Sequence, residues 1–261
     1  MLVPPCYVLS DAHLGAAPPE REQALVEFLR TLPGRAGSVL INGDLFDFWF
    51  EWRHVMPRGH VRTLGALAAI RDAGIPVLLV GGNHDCWGGE VLTRDVGIAF
   101  HLGAWEGTVG GWPAYVEHGD GLRLVEDRAY RRLRRVLRNR WAIRAFRWLH
   151  PDLATRVAQG SSDASRVHGA RDGGAGLQRI ALARLETHPG TRLVVFGHSH
   201  VATLARASTG GVYANPGAWF DGSTHLVVRP DRIELRRWAA SAEGDLLHAI
   251  DRGAEEALAL P

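Results

Sequence analysis

Ser38-Val39-Leu40-Ile41-Asn42-Gly43-Asp44-Leu45-Phe46-Asp47 places a strand and a polar cluster side by side. The run Ser38 to Ile41 shows no polar alternation, so it reads as a strand buried on both faces of a sheet covered by helices. Gly43 closes it with a tight turn, and two carboxylates follow. The arrangement recurs along the chain. Tyr7 to Ser10 leads into Asp11-Ala12-His13, and Pro76 to Val80 into Gly82-Asn83-His84-Asp85. Pro113 to Glu117 leads into His118-Gly119-Asp120, and Arg192 to Phe196 into Gly197-His198-Ser199-His200. In open α/β sheets the ligand crevice lies beyond the carboxyl ends of the strands. The five clusters are therefore expected in one crevice.

Their chemistry is that of metal ligands. Together they supply carboxylate, imidazole and amide groups for two divalent ions. One Asp-x-His or Gly-His-x-His is common by chance, but five such clusters, each at a strand end, are not. Mixed oxygen and imidazole donors suit Mn²⁺, Fe²⁺ or Zn²⁺ better than Ca²⁺.

Strand Tyr7 to Ser10, helix Glu20 to Thr31, strand Ser38 to Ile41, helix Gly59 to Ala73 and strand Pro76 to Val80 form two β-α-β units, which build parallel sheets. Later strands, Val201 to Ala207, Gly211 to Asn215, Thr224 to Arg229 and Arg232 to Trp238, are joined by Gly-Gly and Pro-Asp turns. Those hairpin signals predict a mixed sheet or a second sheet packed on the first. Between His118 and Arg192 apolar residues recur at helical spacing (Tyr130, Leu133, Val136 and Leu137, then Ile143, Phe146 and Leu149) with Arg between them. This segment is expected to stand over the crevice as a helical cap at about residues 123–170. Gln159 to Ser165 reads as a surface loop, hinge or phosphate-contacting loop, Leu177 to Thr187 as a helix, and Ser241 to Leu260 as a last helix.

The chain has 261 residues, 46% of them apolar, enough for one domain with a substantial core. Its two cysteines are too few for a disulfide framework; Cys6 reads as a core thiol and Cys86 as an inert loop side chain. No apolar run reaches spanning length and no secretion signal precedes the first strand, so a cytoplasmic protein is expected. All 30 basic residues are Arg. Residues 123–156 hold 11 Arg against Glu126, Asp127 and Asp152, a net charge of +8, leaving −6 for the rest of a chain whose total is +2. One segment carries the basic character.

From Asp11 to about Trp219, the order and spacing of the clusters resemble the calcineurin-like metallophosphoesterases. The resemblance implies an α/β sandwich of two mixed β-sheets flanked by helices. It further implies that Asp11, His13, Asp44 and His200 bind one metal and Asp44, Asn83, His118 and His198 the other. Asp44 would bridge with its two oxygens, and Mn²⁺ is the expected ion. His84 would approach the phosphoryl oxygen or leaving group as a catalytic residue, with Asp85 orienting its ring. Asp47 reads as orienting a ligand rather than being one, Asp120 as a turn former, and Asn215-Pro216-Gly217 as a turn closing the site wall. The remaining histidines lack a ligand context and read as packing or surface residues.

Within that superfamily the chain is most similar to the UDP-2,3-diacylglucosamine pyrophosphohydrolases of lipid A biosynthesis. The markers are Gly43-Asp44-Leu45-Phe46-Asp47 with Trp49, Glu126-Asp127-x-x-Tyr130, the Arg-rich helical insertion and Gly217-Ala218-Trp219. The resemblance implies cleavage of UDP-2,3-diacylglucosamine to UMP and 2,3-diacylglucosamine 1-phosphate. Asn83, His84, Asp127, Tyr130, Ser161 and His198 would contact this glycolipid substrate. Two departures stand out. Members of that family carry Arg where this chain has His84, and Ser161, Ser165 and His168 share the spacing of their Ser-x-x-x-Asn-x-x-Lys segment but not its identities. Tyr130, Trp141, Phe146 and Trp148 are expected to line an acyl-chain groove. Arg131, Arg134 and Arg138 would meet an anionic membrane surface, placing the protein peripherally on the inner face of the cytoplasmic membrane. The sequence leaves the oligomeric state open. A metallophosphoesterase of another substrate class, whether phosphodiesterase, phosphatase or nuclease, is the alternative; a nuclease would use the same Arg residues and aromatics for phosphates and bases. A non-catalytic scaffold is disfavoured because all four ligand histidines are present.

Overall fold

The computed structural model describes residues 1–156, 172–239 and 243–253. Two mixed sheets are packed face to face and flanked by helices. The first has seven strands in the order β12-β11-β10-β1-β2-β3-β4 and the second five in the order β5-β6-β7-β9-β8. In the first, β1 (Cys6–Leu9), β2 (Ser38–Ile41), β3 (Val77–Gly81) and β4 (Ala99–Leu102) are parallel. β10 (Thr224–Val228), β11 (Arg232–Arg237) and β12 (Asp245–Asp251) extend it antiparallel from β1. In the second, β6 (Trp112–Val116), β7 (Leu193–Val195) and β9 (Val212–Asn215) are parallel, with β5 (Trp105–Val109) and β8 (Thr203–Arg206) antiparallel at the edges.

The apolar runs have no polar alternation because both strand faces are buried. Cys6 and Val8 point into the layer between the sheets, where they join Leu40, Val80, Val116, Val195 and Ala214. Tyr7 and Leu9 point outward and pack with Leu25, Phe28 and Leu29 of α1 (Pro19–Thr31) and Leu64, Leu67 and Ile70 of α2 (Val61–Asp72). On the far side, Leu177, Ala181 and Leu185 of α6 (Ala175–Thr187) cover Val194, Phe196 and Tyr213. Truncating Phe28, fully buried against Trp219 and His225, would cost about 3–5 kcal/mol. The insertion between β6 and α6 contains α3 (Arg128–Leu137), α4 (Arg140–Phe146) and α5 (residues 151–156). The short α7 (Trp219–Gly222) precedes β10. No helix among the described residues is long and apolar enough to cross a membrane.

Two expectations need correction. The tail is not a helix where it is described: residues 245–251 form β12, which pairs with β11, and residues 241–242 and 254–260 of the expected helix lie outside the described residues. Local sequence favours a helix there, but the open edge of β11 offers a full ladder of backbone partners, and tertiary pairing wins. The edge strands β4 and β5 were not anticipated. Both are largely exposed and so lack an apolar signature.

His225 on β10 is a buried histidine outside the crevice, 4.7 Å from the Phe28 ring and 6.2 Å from Tyr7. Burial, then Arg236 and Arg35, push its imidazole down to about 3. The unfolded chain takes up that proton near pH ~6.5. Stability contributed by the neutral ring is therefore complete above about pH 6.5 and is lost progressively as pH falls toward about 3. Urea unfolding of wild type and His225→Leu at about pH 7 and about pH 4.5 should show the variant losing roughly 2–3 kcal/mol less on acidification. Equal losses would contradict this.

Candidate metal centre

The loops after β1, β2, β3, β6 and β7 open on one side of the sandwich, and their side chains meet there. Backbone bonds zip the first two loops together: Asp11 N donates to Gly43 O at 3.0 Å, and Ala12 N and His13 N donate to Asp44 O at 2.9 and 3.0 Å. The cost is visible in the dihedrals. Asp11 (φ 51°), His13 (43°), Asp44 (53°), His198 (60°) and His200 (60°) all occupy the left-handed region, and outside this group Ser223 is the one other non-glycine residue to do so among the described residues. Such strain costs on the order of 1 kcal/mol or more per residue and gathers at functional sites.

Each carboxylate has one oxygen anchored and one aimed at the crevice. Asp11 Oδ2 accepts from Ser10 Oγ and from His198 N, while Oδ1 has no hydrogen-bond donor and lies 3.2 Å from His200 Nε2. Asp44 Oδ1 accepts from His84 N at 2.9 Å. Its Oδ2 lies 3.1 Å from His118 Nε2 and 3.9 Å from both His13 Nε2 and His84 Nε2. Oδ1 is thus anchored to the loop after β3, while Oδ2 faces imidazoles from the loops after β1, β3 and β6.

His118 Nδ1 donates to the Asn42 carbonyl at 2.8 Å, which leaves Nε2, 3.1 Å from Asp44 Oδ2, to hold either a proton or a cation. His13 Nε2 and His200 Nε2 face each other at 3.3 Å. Either one ring carries its proton on Nε2 and donates to the other, or both lone pairs are free to meet a cation. Asp11 Oδ1, Asn83 Oδ1 and His118 Nε2 are all buried without hydrogen-bond partners, and this mixed oxygen and imidazole set fits divalent ions. Three groups are close enough to hold one: Asp11, His13 and His200; His13, Asp44 and His84; and Asp44, His118 and His198.

The electrostatics agree. Burial alone would raise Asp44, but the charges of His118, His84 and His13 hold its carboxyl well below the usual range. Burial likewise opposes ionisation of Asp11, and His200 and His118 outweigh it. Burial would lower His118, yet Asp44, Asp11 and Asp120 hold it well above its ordinary value. Burial and then His118 push His198 down to about 4, leaving its ring neutral. Two glycines permit the packing: a Cβ on Gly82 would collide with Asp44 Oδ1, and one on Gly43, whose φ is +81°, would collide with the His118 ring.

All the expected cation ligands lie around this crevice, but several other assignments change. Asp85 does not orient His84: its oxygens accept from Gly82 N at 2.7 Å and Leu45 N at 2.8 Å, pinning the two loops together. Burial and Asp44 push it up to about 6. The His84 ring is set instead by Asp47, whose carbonyl accepts from Nδ1 at 2.8 Å. The Asp47 carboxylate is 3.6 Å from His13 Nδ1 and 3.7 Å from His84 Nδ1, within ion-pair range of both rings. Asp127, expected to meet substrate, gives both oxygens to Arg123, through the backbone N at 3.0 Å and the guanidinium at 2.9 Å. Tyr130 donates to Asp120 at 2.7 Å, so Asp120 does more than form a turn. Arg131, Arg134 and Arg138 turn inward to Gly121 and Asp120 rather than outward. Phe146 packs with Phe50 at 4.9 Å and stacks on Trp87 at 6.1 Å, whereas Trp141 and Trp148 are exposed, so the four aromatics do not share one groove. Ser161 and the Gln159 to Ser165 loop lie outside the described residues.

Three positioning residues went unforeseen in these roles. Asn42 donates to Glu117 O at 3.1 Å and accepts His118 through its own carbonyl, tying the sheets together at the crevice. Asn215 donates to Gly197 O at 2.9 Å and Ser199 Oγ at 3.0 Å, holding the loop of His198 and His200. Glu51 accepts from Gly89 N and Val91 N, fixing the loop that follows His84. An asparagine directly at the end of a buried strand is the signal for the first two.

A family model described as calcineurin-like phosphoesterase matches residues 4–202. A UDP-2,3-diacylglucosamine hydrolase from Porphyromonas gingivalis is 32% identical over 216 residues, covering 75% of this chain and 82% of that protein. One of the same name from Ralstonia nicotianae is 30% identical over 261 residues, covering 92% of each. Among solved structures, a dimetal phosphatase from Danio rerio aligns at a TM-score of 0.47 and 13% identity, over 95% of this chain and 98% of that one.

Proposed function

Since the chain belongs to the calcineurin-like phosphoesterase family and is a metal-dependent hydrolase, we propose that it cleaves the pyrophosphate of UDP-2,3-diacylglucosamine to UMP and 2,3-diacylglucosamine 1-phosphate. The observation that carries this reading is the pair of donor clusters joined at Asp44 Oδ2, in a chain whose relatives bear that hydrolase's name. Asp11, His13, Asp44 and His200 would hold one ion, and Asp44, Asn83, His118 and His198 the other, with Mn²⁺ the ion we propose. When bound, the ions supply positive charge to the phosphoryl oxygens and lower the pKa of a water.

The chain's own residues do the rest. With Nδ1–H given to the Asp47 carbonyl, His84 would act as the imidazolium, passing its second proton from Nε2 to the leaving phosphate oxygen and ending as the neutral ring. Asn83 and His198 would contact phosphoryl oxygens. Asp85 acts through the loop it pins, and Asp127 through Arg123, which also approaches Asp172 at the start of α6. Tyr130 keeps α3 against the His118 loop, and Ser161 completes the proposed substrate contacts. Turnover of UDP-2,3-diacylglucosamine, a simple phosphodiester and single-stranded DNA by the Mn²⁺-loaded protein is the test. Release of UMP should dominate; preferred cleavage of DNA would move the assignment to a nuclease.

The insertion, at about 123–170, is proposed as a cap that receives the glycolipid at an anionic membrane on its cytoplasmic face. Supporting this, Trp148 is 90% and Trp141 61% exposed, with Arg140 and Arg144 over the Trp141 ring at 5.1 and 5.6 Å. Exposed indoles beside Arg suit the interface of a negatively charged bilayer. Trp141→Ser/Trp148→Ser should reduce sedimentation with vesicles containing phosphatidylglycerol; unchanged sedimentation would leave these residues as solvent-facing only.

A further inference from the structure

Between α3 and the turn after His118 lies a cavity of about 350 Å³ lined by Gly121, Arg131, Arg134, Arg135 and Arg138. The four arginines sit three, four and seven positions apart, which places them on one face of the helix. Like charges at that spacing repel, so the face needs counter-charge.

The protein supplies only part of it. Asp120 Oδ2 lies 3.6 Å from Arg134 Nε and 3.6 Å from Arg138 Nη2, and Glu117 Oε1 is 4.0 Å from Arg134 Nη2. Both carboxylates also accept a tyrosine hydroxyl, from Tyr130 at 2.7 Å and Tyr115 at 2.6 Å. Arg131 Nη1 and Arg134 Nη1 donate to the backbone carbonyls of Gly121 and Asp120, which carry no charge. Arg138 Nη2 is buried without a hydrogen-bond acceptor, and Arg135 has no acidic partner among the described residues. Four guanidinium groups against two carboxylates leave the cavity at +2.

We propose that this cavity binds a phosphate monoester, outside the metal centre. Its dianion closes the charge, and its three terminal oxygens match planar guanidinium donors, which bind phosphate in pairs of parallel hydrogen bonds. None of the lining residues is among the cation ligands. Gly121 follows His118 by three positions, so the site adjoins the crevice without sharing it. The ligand is a soluble nucleotide monophosphate or a phosphate on a lipid headgroup. Both products of the proposed reaction are phosphate monoesters, and to that extent the ligand's origin rests on that reading, whereas the site itself does not.

Equilibrium dialysis of the Mn²⁺-loaded full chain against labelled inorganic phosphate tests the site without requiring turnover. Wild type should take up one equivalent more than Arg135→Gln/Arg138→Gln, and Arg135→Lys/Arg138→Lys should retain that equivalent about 10-fold more weakly, as loss of paired bonds predicts. Equal uptake by all three proteins overturns the proposal. If the Gln pair fails to fold, a tungstate soak of wild-type crystals decides: anomalous density among the four arginines supports the site, and its absence overturns it. Displacement of the extra equivalent by UMP assigns a soluble phosphate monoester, and displacement only by phosphatidic acid vesicles assigns a headgroup. Displacement by neither refutes a phosphate monoester site.

Discussion

Asp44→Ala is expected to abolish turnover, by at least about 10³-fold, and to leave the protein unable to hold two ions at once. Asp44 Oδ2 faces His118, His13 and His84 together, and two of the three donor groups pass through this residue. Without it, Asp11 remains near His13 and His118 and Asp47 near His13 and His84, but no carboxylate faces all three imidazoles. Its anchored Oδ1 also ends the bond from His84 N, so the loop after β3 loses a tether. Metal analysis after dialysis should find two ions per chain in wild type and fewer than one in the variant, with Asp44→Asn, which keeps the acceptor for His84 N, intermediate in thermal stability. Full occupancy in Asp44→Ala would show that the two halves do not depend on a shared carboxylate.

The second large effect separates chemistry from metal binding. His84→Ala should slow hydrolysis by roughly 10²–10⁴-fold, the range for loss of a proton donor, while both ions stay bound. The backbone N–H that anchors Asp44 Oδ1 survives the substitution, and the ring's Nδ1 is committed to Asp47. His84 nonetheless lies within ligand distance of His13 and Asp44. Loss of an ion from the variant would place it among the ligands and remove it from the role of acid.

The strands and the crevice were legible because they rest on short-range signals. A strand buried on both faces must be apolar throughout, as Cys6 to Leu9 and Ser38 to Ile41 are, and a cluster at its end must lie at the sheet's rim. Partners set by distant packing were not legible. Asp85 and Asp127 look alike in sequence, each a carboxylate beside an expected site residue, but backbone donors of two loops capture one and Arg123 the other. The tail reads as helix locally, and only the free edge of β11 makes it a strand. The inward turn of Arg131, Arg134 and Arg138 depends on where the His118 loop places Asp120, a relation that no periodicity records.

Hydrolysis of UDP-2,3-diacylglucosamine in ¹⁸O-labelled water tests the account most directly. The proposed reaction opens the phosphorus nearer uridine, which would then stand at Asp44 and His84. Mass spectrometry of the products should therefore find the label in UMP and none in 2,3-diacylglucosamine 1-phosphate. Label confined to the lipid phosphate would contradict the attack assigned to this site.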